Sequence, residues 1–330
     1  MRTPKYLSPT SISRWQSDRQ EFYLSYLADH RPPRIPQNQP MSIGAGFDAF
    51  VKSYLHTRLF GLGNDPRFEF TTLFEEQVEP QNRDWALKHG AHVFAQYRET
   101  GALANLILEL ADADGDPQFE FTLEGRVAHS ACVGGIPLLG KPDLKFVNKS
   151  GAFFVDDWKV NGYCSPKTTS PKKGYVRIFN DGGSQGGPHK DAHLMEVDGV
   201  LINIAHTLEQ IDIGWANQLT IYSWLLGAEI GSKFIVGIDQ IVAKGSGSDF
   251  PILRIACHRC RVSSEYQNLL HHEIAQIWTR IQQGPRYIFD GTPDESEERC
   301  KVLDNFHHGY KEEHKDADWF TDATRQHKNF

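Results

Sequence analysis

The first third of the chain has the periodicity of amphipathic helices. Apolar side chains recur at near-helical spacing within residues 7–28 and indicate a core-facing stripe: Ile12, Trp15, Phe22 and Tyr26. Ser8 followed by a proline is a helix start signal, because serine caps the first turn and proline is tolerated there. A second helix is expected from Ser42, after a proline-rich connection over 31–40, and residues 81–110 predict one or two more.

In the middle of the chain the pattern changes to that of strands. Four residues give a first stretch its strand character: Phe119, Phe121, Leu123 and Val127. Residues 136–147 and 152–160 flank the turn-forming segment Asn148–Gly151 and predict a β-hairpin. Two further strands are expected at 234–243 and 252–260.

Helices are predicted at 213–230 and 264–283. Between the hairpin and the first of them, residues 161–192 are rich in Gly, Pro, Ser and Lys and have no clear period, which predicts a long loop able to close over a substrate. The order of elements indicates an α/β fold with a mixed β-sheet flanked by helices.

This order divides the chain into three regions. Residues 1–118 form a helical N-terminal region that packs on the core, and residues 119–289 form the core with the loop insertion. Residues 290–330 form a charged C-terminal tail that is expected to add little to the core.

The hairpin carries the chemistry of interest. If its loop is the three residues 149–151, Asp143 lies opposite Asp157, and Lys159 shares the face of Asp157 by alternation. Two neighbouring carboxylates repel unless a cation lies between them, and Mg²⁺ or Mn²⁺ takes carboxylate oxygens. The alternative is an ordinary surface cluster of ion pairs.

Composition adds limits on the class of protein. The chain has 330 residues, 39% hydrophobic and 23% charged, which is typical of a globular protein. No apolar run is long enough to span a membrane, and the first residues lack a secretion signal, so a cytoplasmic location is expected. Five scattered cysteines fit a reducing compartment.

The net charge of -7 argues against a protein that coats nucleic acid non-specifically, but it does not exclude a nuclease with an acidic metal site. A basic strip in the long loop offers phosphate contacts: Lys167, Lys172, Lys173 and Arg177. Its alternative interpretation is a solvated loop. Cys257 and Cys260, with two later histidines, suggest zinc only weakly because no second cysteine pair follows. The glycines of 182–187 lack the ending of a phosphate-binding loop.

Four features, in this order, resemble the PD-(D/E)XK nuclease superfamily, in its RecB-like exonuclease branch. They are the opening helix at 7–24, Gly140-Lys-Pro-Asp143, Asp157-Trp-Lys159 behind a hydrophobic strand, and Gln218-x-x-x-Tyr222 on a later helix. The resemblance spans roughly residues 7 to 226 and implies a restriction-endonuclease-like core.

The chain departs from the pattern of the branch at two positions. Where the branch usually has histidine in Gly-x-x-x-His, this chain has Asp48, which can ligate the same hard ion. Where iron–sulfur members have a cysteine in the first helix, this chain has Asp18, so no iron–sulfur cluster is expected.

The resemblance also implies roles. Asp143, Asp157 and the Trp158 backbone carbonyl would hold Mg²⁺ or Mn²⁺, Asp48 would complete the shell, and Lys159 would orient the attacking water. Two polar side chains would hydrogen-bond around the site or touch substrate: Gln218 and Tyr222. A rival ligand to Asp157 lies one residue outside the spacing and on the opposite face: Asp156.

The expected activity is metal-dependent hydrolysis of DNA, by an exonuclease of recombination, repair or phage DNA metabolism. DNA and recombination or replication proteins would be its partners. Two alternatives stay open: a nucleic-acid-binding or scaffold protein that keeps the fold without efficient catalysis, and a hydrolase of small phosphate esters.

Overall fold

A computed structural model describes residues 1–29, 35–111, 113–119, 133–150, 153–165, 167, 169–180, 183–244 and 249–314. Several predictions from the sequence lie outside these ranges. They concern the strand residues Phe121, Leu123 and Val127, the turn residue Gly151, the loop residue Gly182, and the tail after residue 314.

The chain begins with a broken helix. Helix α1 (Pro9–Ser17) starts as predicted, because the Ser8 hydroxyl accepts the Ser11 N–H over 3.2 Å. At Asp18 the backbone becomes extended, and the Asp18 carboxylate caps α2 (Arg19–Phe22). A π-helical turn, Tyr23–Leu27, follows. The single helix predicted over 7–28 is therefore interrupted where Asp18 competes for backbone hydrogen bonds.

Helix α3 (Gln39–Phe60) begins three residues before the predicted start at Ser42. The Asn38 side chain accepts the Met41 N–H over 3.0 Å, and Pro40 lies in the first turn, where its missing N–H leaves no helical bond unmade. Pro40, which the sequence assigns to the proline-rich connection, therefore belongs to the first turn of the helix.

The remaining helices of this half are α4 (Phe70–Gln77), α5 (Arg83–Glu99) and α6 (Ala102–Ala111). Residues 81–110 thus contain two helices, as predicted, whereas α4 was not predicted. Gly46 lets α3 and α5 approach closely, since a β-carbon there would lie 2.7 Å from the Ala86 carbonyl oxygen.

Within the described residues, seven strands form a mixed sheet in the order β1-β2-β3-β8-β9-β4-β5. Their bounds are β1 Gln118–Phe119, β2 Leu144–Val147, β3 Phe153–Asn161, β4 Arg177–Phe179, β5 Gln185–Gly186, β8 Ile235–Ala243 and β9 Leu253–Arg261. β3 and β8 are parallel, and the other neighbours are antiparallel. The predicted α/β class and mixed sheet are confirmed.

Two predicted elements differ in extent. The first arm of the hairpin was predicted over 136–147, but its regular part is only the four residues of β2. The segment 161–192 is not simply a loop, because β4 and β5 lie within it and join the sheet through β9. After it come a separate hairpin, β6 (Leu194–Val197) with β7 (Val200–Asn203), and a short helix α7 (Leu208–Ile211).

Helix α9 (Ser264–Gln283) has the predicted bounds, whereas α8 (Ile213–Leu225) starts as predicted but ends five residues before the predicted end at 230, next to Gly227 with its positive φ. Both pack with α1 on one face of the sheet, whereas α3, α5 and α6 pack on the other. The sides alternate along β3, since Val155 contacts the first group and Phe154 and Trp158 the second.

The charged tail contributes to the core, contrary to expectation. Helix α10 (Pro293–His314) buries Cys300 and Leu303 in the same cluster as α8 and α9. The Tyr23 hydroxyl donates to Asp304 over 2.8 Å and ties this helix to the N-terminal π-helical turn. No helix in the described ranges is both long enough and apolar enough to cross a membrane.

Candidate functional site

The hairpin register places Asp143 and Asp157 together. The antiparallel pairs run from Val147 opposite Phe153 to Leu144 opposite Asp156, so the next pair outward is Asp143 with Asp157. β2 ends at this point, while β3 continues to Asn161 with β8 on one side. Among the described residues, no strand pairs with the other edge of 157–161. An open edge of the sheet therefore begins at the two carboxylates.

Both oxygens of Asp143 are engaged. Its Oδ2 accepts the Trp158 backbone N–H over 3.2 Å, and its Oδ1 accepts from the Lys52 ammonium, also over 3.2 Å. In an extended strand the N–H and C=O of one residue point to the same side. The Trp158 carbonyl is thus directed to the edge where Asp143 lies, as its predicted ligand role requires.

Asp157 is buried and lies in hydrogen-bond contact with the Asp143 carboxylate. Burial raises the pKa of Asp157 well above its usual value, and the negative charge of Asp143 adds to the rise. Burial also raises the pKa of Asp143, but the charge of Lys52 and the bond from Asp157 outweigh it, so the net shift is downward. The two carboxylates therefore repel each other, and the lysines beside them oppose that repulsion.

Lys159 extends the acidic pair into a hydrogen-bonded chain. Its ammonium forms an ion pair with Asp157 and donates to Gln218 Oε1 over 2.9 Å. The Gln218 amide nitrogen contacts the Tyr222 hydroxyl at 3.0 Å and Asp157 Oδ1 at 3.5 Å. Burial lowers the pKa of Lys159, but Asp157 and Asp143 raise it more, so Lys159 stays protonated at neutral pH.

Helix α8 brings both of its predicted residues to the site. The N-cap is Asp212, which accepts the Trp215 N–H over 3.0 Å, and the four-residue spacing puts Gln218 and Tyr222 on one side of the helix. The Tyr222 ring covers Gly140, where a β-carbon would lie 2.5 Å from a ring carbon. Burial raises the pKa of Tyr222, so its hydroxyl is neutral.

A buried lysine belongs to this site and was missed in the sequence. Lys52 on α3 is 1% exposed, and its ammonium lies 2.7 Å from Asp48 Oδ2 and 3.2 Å from Asp143 Oδ1. The four-residue spacing of Asp48 and Lys52 on a helix was the available signal. The sequence around Lys52 does not show that its second partner is Asp143, which lies far along the chain.

A cleft of about 410 Å³ opens on the side of α3. Its lining combines residues of α3, the end of α4 and the strand edge, and its charged members are Asp48, Lys52, Glu76 and Asp143. The structure therefore places Asp48 at the cleft beside Asp143, with its carboxylate paired to Lys52.

Asp156, the rival ligand, points to the opposite face of β3. There the Arg259 guanidinium lies 3.2 Å from Asp156, 3.0 Å from Asp239 and 2.9 Å from Glu109. Burial raises the pKa of Asp156 well above its usual range. This buried network lies on the face of β3 opposite Asp157. Asp156 is therefore an ion-pair partner of Arg259 and does not face the Asp143–Asp157 pair.

The basic strip is only partly near the site. The Lys172 ammonium lies 3.5 Å from Asp212, at the start of α8, and the Lys173 side chain is exposed. Arg177 lies on β4, with β9 and β8 between it and β3, and its guanidinium donates to Asn105. The structure does not bring Arg177 to the carboxylate pair, because the loop predicted to carry it is a strand on the far side of the sheet.

The zinc alternative is contradicted by the strand geometry. Cys257 and Cys260 lie three residues apart on β9 and pack into clusters on opposite faces of the sheet. Their thiols cannot bind one ion. Burial raises the pKa of Cys260 to about 12, which keeps it a neutral thiol.

The donor set at the open edge suits a hard divalent ion in part. Mg²⁺ is commonly bound by one or two carboxylates, with waters and substrate phosphates filling its other positions. Asp143, Asp157 and the Trp158 carbonyl meet that requirement. In the described part of the chain, no three His, Cys, Asp or Glu side chains are grouped to hold one ion, so a third protein carboxylate is not supplied.

Comparison with known proteins adds no identity. The chain matches no protein-family model and no curated protein.

Proposed function

We propose that this protein is a divalent-metal-dependent nuclease that hydrolyses DNA phosphodiester bonds, built on a restriction-endonuclease-like core of the PD-(D/E)XK type. The observation that carries the proposal is the register that sets Asp143 opposite Asp157 at the open edge of β3, with the Lys159 ammonium on Asp157. Two neighbouring carboxylates offer oxygen ligands to a divalent cation, and such a pair beside a lysine suits phosphodiester hydrolysis.

Asp143, Asp157 and the Trp158 carbonyl would hold Mg²⁺ or Mn²⁺. The bound ion would neutralise the carboxylates, polarise a phosphate oxygen and lower the pKa of a water molecule. Both carboxylates would have to be ionised for this purpose. The pull of Lys52 and Lys159 on the two carboxylates favours that ionised state.

Lys159 would orient the attacking water and stabilise the negative charge that develops on the phosphoryl oxygens. Because its pKa is raised, Lys159 acts as a hydrogen-bond donor and a fixed positive charge rather than as a base. Gln218 accepts from Lys159 and so fixes the direction of the ammonium group. Tyr222 in turn holds Gln218 through its hydroxyl.

The biological setting rests on the resemblance of the sequence motifs. Exonuclease action in recombination, repair or phage DNA metabolism is the setting we propose, with DNA as the substrate and recombination or replication proteins as partners. Lys172 and Lys173, which are exposed near the start of α8, would contact the phosphates of DNA.

One observation favours a second candidate function, a nucleic-acid-binding or scaffold protein with this fold. The carboxylate expected to complete the metal shell, Asp48, is paired with Lys52, which leaves two protein carboxylates for an ion. A protein of this kind would bind DNA in a salt-sensitive manner without cleaving it.

The deciding experiment measures turnover of single-stranded, linear double-stranded and circular DNA, RNA and a chromogenic phosphodiester, in Mg²⁺ or Mn²⁺ and with chelator. We expect Asp157→Asn and Lys159→Met to slow DNA hydrolysis by at least about a hundredfold. Matched controls on exposed positions of α10, Asp294→Asn and Lys301→Met, should leave the rate unchanged.

DNA hydrolysis that survives both Asp157→Asn and Lys159→Met, or that ignores the chelator, would refute the proposal. DNA binding without turnover in either metal would select the scaffold alternative. Hydrolysis of the chromogenic ester alone would indicate a small phosphate ester as substrate.

A further inference from the structure

Lys52 is one of the largest side chains of the described residues that are fully buried. Its ammonium lies between two carboxylate oxygens, 2.7 Å from Asp48 and 3.2 Å from Asp143. A buried ammonium is costly unless it is paired, and these two contacts provide the pairing. A positive charge is therefore built into the acidic side of the candidate site.

We propose that the Lys52 ammonium is the permanent second cation of this site, so that the chain binds a single divalent ion, on Asp143 and Asp157. Asp48 then serves as the counter-ion of Lys52 and not as a metal ligand. This inference rests on the proposed nuclease function and specifies how many metal ions that function uses.

The first argument is one of space. A Mg²⁺ ion bound jointly by Asp48 and Asp143 would have to lie about 2.1 Å from an oxygen of each. The Lys52 nitrogen already occupies the position between those oxygens. An ammonium group and a divalent ion cannot both lie there, because they would overlap and repel.

The second argument is that Lys52 cannot easily leave. It lies on the helix that packs on this face of the sheet, at the wall of the cleft, and its side chain is only 1% exposed. Moving it to solvent would open a cavity and uncover two carboxylates in an interior position. Lys52 lines the cleft, but its ammonium is held by Asp48 and Asp143 and its side chain exposes almost no surface to a substrate, so it is a positioning residue.

The third argument is charge. Asp48, Asp143 and Asp157 oppose Lys52 and Lys159, so the fully ionised cluster has three negative and two positive groups. Glu76 of α4 adds a fourth negative group at the cleft, so one divalent ion neutralises the cluster before an anionic phosphate binds. In two-metal sites a second ion also stabilises the negative charge of the reacting group. Here the Lys52 ammonium would supply the positive charge of that second ion.

The test is calorimetric titration of the full chain with Mn²⁺, which reads stoichiometry and affinity independently of catalysis. We expect one Mn²⁺ per chain for the wild type. Asp48→Asn should keep one Mn²⁺ and weaken its binding by only about tenfold, because Asp48 lies outside the metal shell. Asp157→Asn should weaken Mn²⁺ binding by at least about a hundredfold, because it removes a ligand.

Variants of Lys52 complete the design. Lys52→Ala removes the ammonium and opens its space between Asp48 and Asp143, so a second Mn²⁺ should bind. Lys52→Arg keeps the positive charge and should keep the stoichiometry at one. Thermal unfolding of each variant establishes that it is folded before titration.

Two Mn²⁺ ions on the wild type, or an Asp48→Asn protein that loses Mn²⁺ as Asp157→Asn does, would overturn the inference. The proposed function would still stand if the wild-type protein hydrolyses DNA. A wild-type protein that binds no Mn²⁺ and cleaves no DNA would overturn the proposed function and the inference with it. The two failures are therefore distinguishable.

Discussion

Gly140 lies directly under the ring of Tyr222, so close that a β-carbon on Gly140 would come within 2.5 Å of Tyr222 Cδ1. This contact joins the turn that leads to Asp143 with the helix that carries Gln218. The glycine of the Gly-x-x-Asp segment and the tyrosine of the Gln-x-x-x-Tyr segment are thus complementary in shape. Two distant sequence motifs form one structural unit.

The contact predicts the effect of Gly140→Ala. The added methyl group must displace the Tyr222 ring, and overpacking of this kind costs about 1–3 kcal/mol of unfolding free energy. In a Tyr222→Ala background the space is open and the same change should cost less. Urea unfolding of the two single variants and the double variant measures the coupling, which we expect at about 0.5–3 kcal/mol. Additive effects would show that the two residues are not in contact.

Gln218→Leu tests the chain of hydrogen bonds at the site. Leucine keeps most of the side-chain volume but cannot accept from Lys159 or bond the Tyr222 hydroxyl. Under the proposed function we expect DNA hydrolysis to fall by about 10- to 100-fold, a range typical for the loss of a supporting hydrogen bond. Gln283→Leu, at the exposed end of α9, is the control and should leave the rate as it is. Equal rates for Gln218→Leu and the wild type would remove Gln218 from the mechanism.

Two glycines of α3 make a matched pair for stability. Gly46→Ala would place a β-carbon 2.7 Å from the Ala86 carbonyl oxygen and force α3 away from α5, at a cost of about 1–3 kcal/mol. A β-carbon on Gly44 meets nothing within 4 Å, so Gly44→Ala should stabilise the helix by about 0.5–1 kcal/mol. Thermal and urea unfolding measure both values. A stabilising Gly46→Ala would contradict the packing of α3 on α5.

Arg259→Met tests the network behind β3. The substitution leaves Asp156, Asp239 and Glu109 without their shared cation, and breaking a buried ion pair costs about 3–5 kcal/mol. Arg286→Met removes a half-exposed arginine from pairs with Asp294 and Glu297 and should cost less than about 0.5 kcal/mol. Urea unfolding at pH 7 compares them. Similar small losses in both variants would show that the buried network contributes little.

The buried His258 side chain makes the stability of the folded protein sensitive to acid. Burial, with the nearby positive charge of Arg259, lowers its pKa from 6.5 to about 3. Between pH 6.5 and about 3 the imidazole is protonated in the unfolded chain but neutral in the folded chain. The free energy of unfolding is therefore highest above pH 6.5 and decreases as the pH falls toward 3. Between pH 7 and pH 5 the loss from this residue is about 2 kcal/mol.

The check on His258 is urea unfolding of the wild type and His258→Gln at pH 7 and pH 5. Glutamine cannot take up the proton, so the variant should lose about 2 kcal/mol less than the wild type over this interval. An equal pH dependence of the two proteins would assign the acid sensitivity to other groups.

Local patterns predicted much of the fold because they depend on neighbouring residues. The boundaries of α9 and the register of the hairpin follow from helical period and from alternation about Asn148–Gly151. The same register correctly placed Asp143 beside Asp157. Placing α8 also followed from period, and it brought Gln218 and Tyr222 to the hairpin.

The errors occur where distant partners decide the structure. β4 lies in a Gly- and Pro-rich stretch and exists because it pairs with β9. The tail forms α10 because Cys300 and Leu303 find an apolar cluster built by other helices. Lys52 looks like a solvent-facing lysine until Asp143 is placed against it. No local pattern reports any of these contacts.

The parallel pairing of β3 with β8 sets an order of assembly during synthesis. The ribosome must add all of residues 162–234 before β8 can lie beside the strand that carries Asp157 and Lys159. Helix α8, with Gln218, lies in that same stretch. A nascent chain therefore holds its acidic hairpin without the strand and helix that position it. The candidate site becomes complete only when most of the polypeptide has been made.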